Sequence, residues 1–195
     1  MSILSRRTQI SERKGNKTLN DEIGAEMPAV EIVAGLEIHL TNEQYDSLLG
    51  MGWSKNREID ISRQLIEIEE DGGILNDFLI RIGQRFEGLQ KKWSKSTHPD
   101  TILVEFKIGS SAEFGWGDYE VFVKNDLPDL CPFGNFIMYG VLFVDKNGIV
   151  YEFGDWNNFS VLGYFSEFIV GMLDERFSRK NINLKFTQNS SNIWS

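Results

Sequence analysis

The residues most suggestive of chemistry are Asp100, Glu105 and Lys107, in Pro99-Asp100 and Glu105-Phe106-Lys107. Two acids can hold a magnesium ion while a nearby lysine steadies the attacking water, which is how a metal-dependent nuclease works. The spacing opposes that use. Only four residues separate Asp100 from Glu105, too few for a turn. On one extended strand the two acids would lie roughly 17 Å apart. The nuclease therefore stands as a remote alternative. His39 and His98 are the only histidines and are far apart in the chain. With a single cysteine, Cys131, they supply no zinc-ligand spacing. Cys131 lies between Leu130 and Pro132, and a cysteine so placed is expected to act as a small buried hydrophobe. A nucleophilic role would need a nearby base. Phosphate-binding glycine loops, dinucleotide fingerprints and nucleophile elbows are absent from the sequence. The expectation is a protein that is not an enzyme, with no catalytic residue, metal site or cofactor.

Charge is the second signal. The chain of 195 residues carries a net charge of -9, which argues against direct nucleic-acid or anionic-membrane binding. From Glu43 to Asp77 there are nine acids and three bases, whereas Arg81 to Lys95 holds five bases and one acid. Glu67, Glu69, Glu70 and Asp71 concentrate the acidic block. One reading is a solvated helical face. The other is a surface that steers a basic protein partner. Trp116 with Asp118, and Asp155 with Trp156, add aromatic and acidic pairs suited to an interface, although each tryptophan also suits a core.

The elements that must position these residues are helices first and strands after. A strand is expected around Gly35, from Val30 to Leu40. Thr41-x-x-Gln44 has the form of a capping box, opening a helix that Gly50 and Gly52 end. Asp60 or Ser62 caps a second helix to about Glu70. A third is expected from about Ile74 to Ile82, extensible to Phe86, with Leu75, Phe78, Leu79 and Ile82 on one face. Lys91 to Pro99 reads as a loop. Ile102, Val104, Phe106 and Ile108 alternate as a half-buried strand, and Tyr119 to Val123 reads as another.

The strongest local signal is a hairpin. Phe136 to Val144 is almost wholly apolar and reads as one strand buried on both faces. Asp145, Asn147 and Gly148 supply the turn, and Ile149 to Phe153 returns as the paired strand. Gly154 to Asn158 reads as an exposed loop. The last helix begins near Ser166, with Phe165, Phe168, Ile169, Met172 and Leu173 on one face. A final strand is expected around Ile182 to Phe186. The order predicts an α+β fold: helices, then a mostly antiparallel β-sheet, with a C-terminal helix packed on it. Residues 1–27 read as a flexible tail, 28–175 as the domain and 176–195 as a C-terminal extension. The longest apolar run falls far short of the ~20 residues of a transmembrane helix. The lone cysteine suits a reducing compartment, so a cytoplasmic location is expected.

The ordered series Gly52-Trp53 with Arg57 and Asp60, Phe78-Leu79, Gly83, Gly88-Leu89, Leu130-Cys-Pro-Phe-Gly134, Asp145, Gly148, Val150-Tyr151 and Leu162-Gly163 resembles the SUKH superfamily of bacterial immunity proteins, specifically its third family. The resemblance spans about Leu40 to Leu173. Glu87 stands where the family usually has a glycine, and Gly154-Asp-Trp replaces a run richer in aspartate. The resemblance implies a cytoplasmic antidote of a polymorphic toxin system. Such a protein binds a cognate toxin, often a nuclease or deaminase, and occludes its active surface. It also implies scaffold roles for Trp53 in the core and for Gly134 and Gly148 as backbone positions. A general protein-interaction module of SUKH type is the alternative.

Overall fold

The computed structural model describes residues 29–33, 36–70, 73–98, 101–109, 122, 125–127, 129–137, 140–154 and 158–182. The described residues begin with a two-stranded antiparallel hairpin, β1 (Ala29–Val33) and β2 (Leu36–His39), where a single strand was expected. Three helices follow: α1 (Asn42–Gly50), α2 (Ser62–Glu70) and α3 (Asp77–Phe86). Seven strands then form one sheet: β3 (Gln90–Lys92), β4 (Ile102–Phe106), β5 (Cys131–Phe136), β6 (Gly140–Val144), β7 (Ile149–Gly154), β8 (Asn158–Tyr164) and β9 (Lys180–Ile182). Their spatial order is their chain order, and every pairing is antiparallel. Helix α4 (Phe165–Leu173) leaves β8 and packs back on the sheet. The α+β architecture is as the sequence predicts.

Local chemistry sets the helix boundaries. The Thr41 hydroxyl accepts from Gln44 N–H at 3.2 Å, and the Gln44 side-chain oxygen accepts from Thr41 N–H at 2.9 Å, completing the expected capping box. Asp60 takes both the backbone N–H and the hydroxyl of Ser62 at the entry to α2. α3 starts three residues later than predicted. Asn76 holds Leu79 N–H on its side-chain oxygen at 2.7 Å, which makes it the N-cap and leaves Ile74 and Leu75 in the preceding segment. The buried face of α3 is accordingly Leu79, Ile82, Gly83 and Phe86.

The apolar run Phe136 to Val144 is not one strand. β5 ends at Phe136 and β6 begins at Gly140, so the run folds back on itself. Ile137 turns the corner with φ of 41°, an uncommon conformation for a β-branched residue. Its N–H donates to the Leu103 carbonyl at 3.0 Å, so the turn is tied to the neighbouring strand. Cys131 to Gly134 is itself strand. The loop expected from Lys91 starts as strand β3, which pairs with β4. Phe122, the one described residue of the strand predicted from Tyr119 to Val123, is helical. Strand β8 was not anticipated; of the strand expected around Ile182 to Phe186, Ile182 belongs to β9, which starts at Lys180, and residues 183–186 lie outside the described residues. Phe177 and β9, in the stretch read as an extension, pack on and pair with this same sheet.

The sheet buries residues on both faces. One face meets the helices through Phe86, Phe106, Phe133, Phe165 and Phe168, with Phe86 and Phe106 ring centres 4.8 Å apart. All five residues of the predicted α4 face are buried there. The other face carries a smaller aromatic cluster of Phe122, Phe143, Tyr151 and Phe159, in which Tyr151 and Phe159 stack at 5.4 Å.

Candidate protein-interaction surface

Helix α2 divides its residues cleanly. Ile61, Leu65 and Ile68 follow at i, i+4 and i+7, and Ile68 is 1% exposed. The opposite side shows Arg63, Ile66, Glu67, Glu69 and Glu70 to solvent. Arg63 Nε donates to Glu67 Oε1 at 2.8 Å, an exposed i,i+4 pair worth little to stability. Glu69 and Glu70 keep the face acidic beside it. Ile66 is 54% exposed, an apolar side chain among carboxylates. It lies one residue past the buried stripe, and helical periodicity alone places it outside.

Several contacts tie α2 to α3 and to the residues that follow β4. Ile68 packs close to Gly109, whose φ is +72°. Gly83 on α3 lets Ile61 and Ile108 approach, since an added Cβ would lie 2.7 Å from Ile61 Cδ1. Glu87 accepts from Ile108 N–H at 2.7 Å and from the Gln64 side chain, joining the end of α3 to α2 and to the residues after β4. Burial pushes the Glu87 carboxyl up, against the opposing pull of these hydrogen bonds and Lys107. Hydrogen bonding from Ser62 holds the exposed Asp60 carboxyl below its usual value.

The residues with scaffold expectations sit in the body. Trp53 is 3% exposed within the main core, and its indole N–H has no acceptor among the described residues. Arg57 donates to the Glu87 carbonyl at 2.5 Å, and Arg85 in turn donates to the Arg57 carbonyl at 2.9 Å. A Cβ at Gly134 would run into the Glu105 carbonyl. In the β6–β7 turn, Asp145 Oδ1 accepts from Asn147 N–H at 2.9 Å and Ile149 N–H at 2.8 Å. Gly148 has φ of +79° and donates its N–H to the Asp145 carbonyl at 3.0 Å. Asp71, Trp116, Asp118, Asp155 and Trp156 lie outside the described residues, so the structure brings together only Glu67, Glu69 and Glu70 of the interface set.

Glu105 and Cys131 are tied into the scaffold. Glu105 accepts from Gln90 Nε2 at 2.7 Å and from Asn135 Nδ2 at 3.1 Å. Lys107 is exposed, and Asp100 lies outside the described residues. Cys131 is buried, donates its thiol to the Ile74 carbonyl at 2.6 Å, and has its pKa pushed up to about 12 by burial. That thiol stays protonated at neutral pH, so it is not a ready nucleophile. His39, at the end of β2, and His98 are both exposed. Among the described residues no cluster of three or more histidine, cysteine or acidic side chains is placed to hold a metal, and no helix is long and apolar enough to cross a membrane. No family model, curated protein or solved structure matches the chain.

Proposed function

We propose that this protein is a cytoplasmic antidote that binds a cognate bacterial toxin, a nuclease or deaminase, and blocks its active surface by occlusion. The observation that carries the reading is the outer side of α2. It offers Glu67, Glu69 and Glu70 around the exposed Ile66, on a helix anchored by Ile68. A basic partner would meet complementary charge before contact and an apolar anchor after it. The resemblance to the SUKH immunity proteins supplies the class of partner. The fixed position of α2 means that little ordering entropy would be lost on binding.

The test is co-expression with the product of the adjacent gene. Co-purification of the two, with relief of growth arrest, is the expected result. If that product is toxic and remains toxic, with no complex formed, the antidote reading fails. Capture of a partner unrelated to any toxin would instead favour a general interaction module.

A further inference from the structure

We draw no further inference here: the strongest candidate, the open groove of about 680 Å3 between α4 and strands β8 and β9, lined by Ile38, Leu162, Glu167, Val170 and Phe177, carries nothing because nothing in the structure shows what covers it.

Discussion

The side-chain amide of Asn76 joins three elements at Cys131. Its nitrogen lies 3.2 Å from the Cys131 sulfur and 3.1 Å from the Asp129 carbonyl, while its oxygen caps α3 through Leu79 N–H. The same nitrogen reaches the Val144 carbonyl on β6 at 3.4 Å. One buried amide thus satisfies a helix end and polar atoms from two strands.

Asn76→Ala should be among the more destabilising polar substitutions in the chain. Loss of the cap costs about 1 kcal/mol, and leaving buried polar groups without their donor costs about 1–3 kcal/mol more. Urea unfolding measures the sum. A loss under about 0.5 kcal/mol would show that neither role matters; the sign is set by the cap alone if Asn76→Asp recovers most of the stability.

Gly148 and Phe78 form a second dependent pair. A Cβ at Gly148 would lie 2.6 Å from Phe78 Cε2, and φ there is +79°. Gly148→Ala should cost about 2–4 kcal/mol, combining left-handed strain with overpacking. Shortening Phe78 to Leu in the same chain should recover part of that cost. Strict additivity of the two substitutions in a double-mutant cycle would refute the contact.

Cys131 should resist thiol reagents in the native protein at pH 8 and react fully in urea. Its pKa and that of Tyr151 are both raised to about 12, chiefly by burial. The folded values exceed the unfolded values of 9.0 and 10.0, so the associated stability is complete below pH 9. It is lost progressively as pH rises from there toward 12, because the unfolded chain ionises first. Cys131→Ala should flatten the first part of that decline. An unchanged alkaline unfolding profile would contradict the assignment.

Glu87→Gln separates burial from hydrogen bonding. Burial holds the folded carboxyl pKa above its ordinary value of 4.5, so the stability linked to it is present below that value and lost as pH rises through the folded pKa. Glutamine keeps an acceptor for Ile108 N–H and carries no charge. The variant should match or exceed the parent at pH 7 and lose part of the pH response on the weakly acidic side. Marked destabilisation at pH 7 would show that the charge itself is needed.

Reversing Glu67, Glu69 and Glu70 to lysine should leave unfolding within about 0.5 kcal/mol of the parent, since exposed charges contribute little. Association with the toxin should become slower and less salt-sensitive. Stopped-flow rates across a salt series decide it. An unchanged rate at low salt would mean that the acidic side of α2 is only solvated.

What was legible in the sequence was local. The Thr41–Gln44 box, the Asp145–Gly148 turn and the α4 stripe each depend on residues within one or two turns of chain, and each formed as written. The break at Ile137 was not legible, because the run around it contains no proline and only Gly140 as punctuation. Pairing with β4 and β6 decides that fold-back, and single-chain periodicity does not record pairing. Asn76 was readable as a cap in principle, but Leu75 fitted the helical stripe and extended it too far. The interaction surface was legible only as charge, because contact with a protein partner requires no fixed residue spacing.

The alternating strand directions give the sheet two unlike ends. At one end the Asp145–Gly148 turn is locked beneath Phe78, and Gly148 also accepts from Phe165 N–H where α4 departs. At the other end β5 hands over to β6, and β7 stops at Gly154 to be resumed by β8 at Asn158. The register of β7 and β8 shifts between Val150 and Tyr151 and then runs unbroken from Tyr151, opposite Val161, with Gly154 opposite Asn158 as its last pair. A change of length between those two residues falls outside the paired positions, at the end of the sheet away from the Asp145–Gly148 turn.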